Sequence, residues 1–330
     1  MEKRTTIEQI AKKVGTSKIT VSRALKGQEG VGTDLRNHII QVATELGYEK
    51  KRLHPTGQRQ IAFLVPKRFF LLTDSFYHVI YYYINTLCNE SDSKLALYIL
   101  EKNDEENGTL PIDIDNYDGI IIGGEVCPKV INNIKIKSIP YVVIDDDSLD
   151  ETSDCIFMDN YKIGIKLTDY LVKRGYKKIG FVGSHAQTSN ITDRYLGYKK
   201  IQYYYNLPMD DSWIIDNYNS KTGYYVMDIS LPKDLPEAFI CQCDRAAYYF
   251  MESLKSQGID VPKQVALVSI DNTELASSTE PKLTSVNIDK SLFASEALTL
   301  LNERIDGRVE MKRVCLDSKL VERSSAPIKK

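Results

Sequence analysis

Two groups of residues in this chain of 330 have types and spacings suited to chemistry. The first is the run Ser17-Lys18-Ile19-Thr20-Val21-Ser22-Arg23. Taken as a helix, it turns Val21 inward and presents Lys18, Ile19, Ser22 and Arg23, a mixture of cations, a hydroxyl and one isolated apolar group. A helix lying in a major groove reads base edges with residues near its N-terminus, while hydroxyls and backbone amides hold phosphates. A solvated helical hairpin is the plainer reading of the same run. The second group consists of acids that follow apolar runs: Asp145 after Tyr141–Ile144, Asp244 after the run ending near Cys243, and Asp271 after Val265–Ile270. In open α/β sheets ligands bind beyond the carboxyl ends of strands. Carboxylates in those places accept hydrogen bonds from several hydroxyls, and Arg194 adds a planar fork of donors. Each also has a structural alternative. A strand-end aspartate such as Asp244 often caps a helix, and Arg194 can pair with a lobe carboxylate. In the run Asp145-Asp146-Asp147, one acid is expected to face inward and two to be solvated.

The elements that would position these groups are legible from capping and periodicity. Thr6 and Gln9 have capping-box spacing, and Ile7, Ile10, Ala11 and Val14 then fall on one helical face. Gly15 suits the left-handed residue that ends this helix, and Ser17 is a strong N-cap for the next, whose apolar positions are Val21, Ala24 and Leu25. After a turn-rich loop over 27–32, Thr33 opens a third helix to about Leu46, closed by Gly47-Tyr48. Residues 49–60 carry charge, Pro55 and Gly57 without a hydrophobic pattern and read as a linker. From Ile61 onward, short apolar runs alternate with helical segments: Ile61–Val65, Leu95–Leu100, Gly119–Ile122, Tyr141–Ile144 and Cys155–Met158, then Lys178–Val182, Trp213–Ile215, Ala238–Cys241 and Val265–Ile270. That alternation predicts an α/β body of parallel sheets covered by helices, in two lobes.

Charge is unevenly placed. Residues 1–60 carry a net +6 and the remainder −8, so a polyanion is expected at one end only. The six cysteines, Cys88, Cys127, Cys155, Cys241, Cys243 and Cys315, have no zinc-ligand spacing and read as buried thiols. His38, His54, His78 and His185 lack partners spaced for metal or catalysis, so neither metal nor cofactor is expected. No signal peptide and no apolar run long enough for a bilayer are seen, so a reduced, soluble, cytoplasmic protein with no membrane partner is expected. Gly180-Phe181-Val182-Gly183-Ser184-His185 is too short for either glycine-rich phosphate motif, and no nucleophile with base and orienter stands out, so an enzyme is not expected. Tyr81-Tyr82-Tyr83 and Tyr203-Tyr204-Tyr205 lie in helical contexts and read as interface or packing groups.

The N-terminal stretch resembles the head-piece of the lactose-repressor family of transcription regulators. Its pattern "T-I-x-x-I-A-x-x-x-G-x-S-x-x-T-V-S-R-x-L" is complete at Thr6, Ile7, Ile10, Ala11, Gly15, Ser17, Thr20, Val21, Ser22, Arg23 and Leu25. Similar motifs continue at Asp159-Asn160 with Gly164, at Arg194-Tyr195-Leu196-Gly197-Tyr198, at Ser269-Ile270-Asp271-Asn272 and at Pro281-Lys282-Leu283-Thr284. The resemblance implies a helix-turn-helix head-piece over 1–48, a hinge over 49–60, and a type I periplasmic-binding-protein-like body over 61–330. The N-lobe would take about 61–160 and 288–310, and the C-lobe about 161–287 and 311–330. It also implies a homodimer on a pseudo-palindromic operator, with Lys18, Ile19 and Arg23 at base edges and Thr6, Ser17, Thr20 and Ser22 on phosphates. A small effector, a sugar or sugar derivative, would sit among Phe76, Tyr77, Asp145, Arg194, Tyr218, Asp244 and Asp271; a phosphorylated sugar or nucleobase stays open. The family's hinge motif "A-R-x-L" is missing, which leaves Leu53 as the residue available to wedge into the minor groove. Control by a protein partner over a vestigial cleft is the alternative regulator. No heptad tail at the C-terminus suggests a tetramer.

Overall fold

The computed structural model describes residues 5–25, 30–46, 58–70, 76–147, 153–184, 187–219 and 224–329. Leu53, His54, His185 and Gly47-Tyr48 lie outside these residues, as does nearly all of the linker.

The head-piece has helices α1 (Ile7–Val14), α2 (Lys18–Leu25) and α3 (Thr33–Glu45). Both halves of the capping box form: the Gln9 amide donates to Thr6 Oγ1 at 3.3 Å, and the Thr6 amide donates to Gln9 Oε1 at 2.7 Å. Gly15 ends α1 in the left-handed region at φ 74°. Ser17 Oγ accepts from the Thr20 amide at 3.0 Å and so caps the second helix. Ile10, Ala11, Val21, Ala24, Ile39, Val42 and Ala43 form a small core of their own.

The body contains β1 (Gln60–Pro66), α4 (Phe76–Glu90), β2 (Lys94–Leu100), α5 (Lys102–Asn107), β3 (Gly119–Gly123), α6 (Pro128–Ile136), β4 (Tyr141–Ile144), β5 (Asp154–Met158), α7 (Asn160–Lys173), β6 (Ile179–Val182), α8 (Ser189–Tyr204) and β7 (Ile214–Ile215). It continues with β8 (Tyr218–Asn219), β9 (Tyr224–Tyr225), β10 (Ala238–Cys241), α9 (Asp244–Ser256), β11 (Ala266–Asp271), α10 (Glu274–Ser278), β12 (Thr284–Asn287), α11 (Lys290–Ile305), β13 (Arg313–Leu316) and β14 (Lys319–Val321). One sheet has the order β13-β5-β4-β3-β1-β2 and is parallel throughout. The other has the order β14-β12-β11-β10-β6-β7, with β14 antiparallel at its edge. Central strands such as β3, Gly-Ile-Ile-Ile-Gly, are buried along their whole length, as a sheet covered on both faces requires.

The chain passes between the sheets after β5, after β12 and between β13 and β14. The last crossing corrects the expectation that 311–330 belongs to the C-lobe. Arg313–Leu316 pairs with β5 in the first sheet, Arg313 opposite Cys155, and only from Lys319 does the chain join the second. This edge strand buries only Leu316, so no apolar run marks its lobe. Its anchor is polar: the Lys312 amide donates to Asp154 Oδ1 at 2.8 Å, and Arg304 Nη2 donates to the same oxygen at 3.0 Å. Burial raises the Asp154 pKa, but hydrogen bonds from Arg308 and Arg304 outweigh it and hold the carboxyl below its ordinary range. Because both arginines keep some contact with solvent, Asp154→Ala is expected to lower stability by about 2 kcal/mol. A urea midpoint unmoved by that change would show that the strand is held by its ladder alone.

Two glycines set how α7 meets α8. A Cβ on Gly164 would stand 2.1 Å from the Arg194 carbonyl oxygen, and one on Gly197 would stand 2.1 Å from that of Tyr161. Backbone cannot yield as a side chain can, so these positions fix the height of Arg194 above the second sheet.

Candidate functional site

Arg194 lies on the inner face of α8, a helix capped by Thr188, whose hydroxyl accepts from the Ile191 amide at 3.3 Å. It is 6% exposed; its Nε donates to Asn160 Oδ1 at 2.7 Å and its Nη1 to the Gln242 carbonyl at 2.6 Å. Asn160 donates in turn to Asn190 Oδ1 at 2.9 Å, and Asn190 Nδ2 to the Asp145 carbonyl at 2.7 Å. The relay joins the end of β4 in the first lobe to the start of α8 in the second. Asp145 sits at φ 60°, a left-handed conformation uncommon for a residue with a Cβ, and Tyr77 Oη donates to its Oδ2 at 2.7 Å. Burial pushes the Asp145 carboxyl up to about 6, against the opposing pull of Arg194 and the Tyr77 hydrogen bond.

These groups open onto a cavity of about 310 Å³ between the lobes. Of the expected ligand residues, the structure gathers Phe76, Tyr77, Asp145, Arg194, Tyr218 and Asp271 around it. Phe76 and Tyr77 form an edge-to-face pair with centroids 5.0 Å apart. On the opposite wall Tyr218 packs on Tyr225 at 5.5 Å. Asp271 ends β11 at φ 104°, and its carbonyl accepts from Lys290 Nζ at 2.6 Å. That ammonium also stands 5.4 Å from the centre of the Phe76 ring, so one cation ties cavity residues of both lobes.

Asp244 is the correction. It is fully buried and outside the cavity lining; Oδ1 accepts from Ser269 Oγ and Ser285 Oγ, both at 2.6 Å, and Oδ2 accepts from the Thr273 amide at 2.6 Å. The acid opens α9 and holds β11, β12 and the loop between them. Its oxygens are filled from inside the lobe, leaving none to turn toward a ligand.

Several further residues line the cavity. Glu125 follows β3, and its Oε2 accepts from the Ser189 amide at 2.9 Å, so a carboxylate of one lobe occupies the N-terminal end of a helix in the other. Gln242 Oε1 accepts from the Ser184 amide at 2.8 Å, and its Nε2 donates to Tyr225 Oη at 3.0 Å. Gln187, just ahead of α8, lines the same space. Gln242 directly follows β10 and Glu125 comes two residues after β3, so both were findable by the rule that found Asp145; Gln187, in the loop ahead of α8, had no comparable signal.

In the head-piece, Ile19 is 66% exposed, and Lys18, Arg23, Thr6 and Ser17 are also on the surface, with Thr20 and Ser22 half-buried. Lys18 pairs with Glu8 at 2.9 Å. Both groups remain well exposed, so the pair contributes little to stability. The tyrosine triplets divide: Tyr81 packs on Phe63, while Tyr82, Tyr203 and Tyr204 are exposed. No helix among the described residues is long and apolar enough to cross a membrane.

Comparison with known proteins adds two family matches. Residues 6–51 match the model for bacterial regulatory proteins of the lacI family, and residues 168–326 match a periplasmic binding protein-like domain. The chain is 27% identical over 340 residues to the HTH-type transcriptional repressor MelR of Bacillus subtilis (strain 168), covering 97% of this chain and 96% of that protein. It is 24% identical over 313 residues to the HTH-type transcriptional repressor PurR of Histophilus somni (strain 129Pt), covering 91% and 92%. Among solved structures, a complex of the transcriptional regulator CelR with cellobiose aligns with a TM-score of 0.68 at 22% identity, over 98% of this chain and all of that one. A lac repressor dimer bound to operator and the anti-inducer ONPF aligns with a TM-score of 0.69 at 18% identity, with the same coverage.

Proposed function

We propose that this chain, as a DNA-binding transcription regulator of the lacI family rather than an enzyme, acts as a homodimeric repressor whose hold on a pseudo-palindromic operator is set by a sugar or sugar derivative between the lobes. The observation that carries the effector half of this reading is the cavity itself: aromatic walls, a buried carboxylate and a buried guanidinium, contributed by both lobes at the carboxyl ends of their strands. A ligand touching both lobes binds one lobe arrangement better than another and shifts the population toward it. Where that arrangement also sets the spacing of two head-pieces, ligand and operator affinities are linked. The DNA half rests on the helix-turn-helix of residues 1–48, with Lys18, Ile19 and Arg23 at base edges and Thr6, Ser17, Thr20 and Ser22 on phosphates; 49–60 is the connecting linker.

The test uses the full chain and an operator selected by binding from a random duplex pool. Arg23→Ala is expected to lower the preference for that operator over non-specific DNA by about tenfold to a hundredfold, the weight of one bidentate base contact. Equal loss on both DNAs would make Arg23 a phosphate contact. Operator affinity measured across mono- and disaccharides, sugar phosphates and nucleobases is expected to change with one ligand class. A flat response across that panel would favour control through a protein partner.

A further inference from the structure

We propose that the effector is an uncharged polyol that offers hydroxyl donors to both lobes at once, and not a phosphorylated or carboxylated metabolite; this deepens the effector-gated reading above and rests on it. Two buried oxygens on the cavity wall have no hydrogen-bond partner among the described residues: Asp145 Oδ1, in the first lobe, and Gln187 Oε1, in the second. Asp145 is 8% exposed, and its other oxygens are filled by Tyr77 and Asn190. A buried acceptor left unmade is costly, and native proteins retain few of them. Both atoms are acceptors, so what completes them is an O–H or N–H brought by the ligand.

Most of the donors that would welcome an anion are already engaged within the protein. Arg68 pairs with Glu105 and lies over the Phe69 ring at 4.5 Å. Arg194 spends Nε and Nη1 on Asn160 and the Gln242 carbonyl, and its charge faces Asp145. The start of α8, the natural seat for a phosphate, holds the Glu125 carboxylate. Counting formal charge on the lining, Glu125, Asp145, Asp271 and Glu274 exceed Arg68, Arg194 and Arg245 by one. A phosphate would meet carboxylates and orphan lone pairs, whereas a sugar ring gives hydroxyls to those oxygens and its apolar face to Phe76 and Tyr218.

Thermal melting and titration calorimetry of the full-length protein against neutral mono- and disaccharides and alditols, each beside its phosphorylated and uronic-acid counterpart, with purines included, tests this directly. The expected result is binding by a neutral polyol, with its charged counterpart at least about tenfold weaker. Gln187→Met removes one acceptor, and Asp145→Asn leaves an amide N–H in place of the other; each is expected to weaken that ligand by about tenfold or more. A cooperative melt of each variant establishes that it folds. Preference for a phosphorylated, acidic or purine ligand, or full affinity in both variants, overturns the inference while leaving effector gating intact. Failure of every compound to bind overturns the gating reading and this one with it.

Discussion

Arg194→Ala is expected to destabilise the body by about 3–5 kcal/mol and to abolish its thermal response to effector. The size follows from what the guanidinium leaves behind. Asn160 and Gln242, both nearly fully buried, lose the donor to a side-chain oxygen and to a backbone carbonyl. Asp145 loses the positive charge that most opposes its burial. The second lobe cannot relax to fill the space cheaply, because Gly164 and Gly197 already hold α7 and α8 at backbone contact. Urea unfolding followed by fluorescence from Trp213, which is buried in the second lobe, would measure the loss. A change below about 1 kcal/mol would mean that solvent replaces the guanidinium and that Arg194 serves ligand alone.

How much of this was legible in the sequence depends on where a residue's partners lie. The capping box of Thr6 and Gln9, the turn at Gly15 and the cap at Ser17 are satisfied within a few residues, so local pattern suffices. The buried parallel strands announce themselves as apolar runs. Strand β12 does not, because Thr284 and Ser285 are buried polar groups that serve Asp244 and the chain around it. The structural role of Asp244 is hidden in the sequence for the same reason. Its position after a strand is a ligand's position, but Ser269, Ser285 and Thr273, which fill it, lie 25 to 41 residues away. Gln187 lines the cavity from a loop, where neither periodicity nor residue type distinguishes a wall from a surface; Gln242 directly follows β10, but its type is not the acid that the strand-end reading looked for. The left-handed backbone at Asp145 and Asp271 marks both as positions held by their surroundings, which only the assembled fold reveals.

Asp145→Asn should do the opposite of Arg194→Ala and make the unliganded protein more stable at pH 8. An unburied aspartate titrates at 3.8 and Asp145 at about 6, so between those values the folded chain holds a proton that the unfolded chain has released. Stability from this group is therefore greatest below pH 4, declines as pH rises through 6, and is at its lowest above. At about 1.4 kcal/mol per pH unit, the interval amounts to roughly 3 kcal/mol at pH 8, all of it removed by the amide. The charges around the carboxyl, Arg194 and Lys290 on one side and Asp146 on the other, are common to both proteins, so the difference between their melting curves isolates Asp145. That difference is expected to be large at pH 8 and to vanish near pH 4. A constant offset across the range would mean that Asp145 is ionised throughout. The two substitutions are also coupled: Arg194→Ala in the Asp145→Asn background should cost less than it does alone, by about 0.5–3 kcal/mol, because no buried carboxylate is then left without its counter-charge. The carboxylate that lowers the stability of the unliganded protein above pH 6 is thus the same group proposed above to receive the ligand, through the oxygen its surroundings leave unfilled.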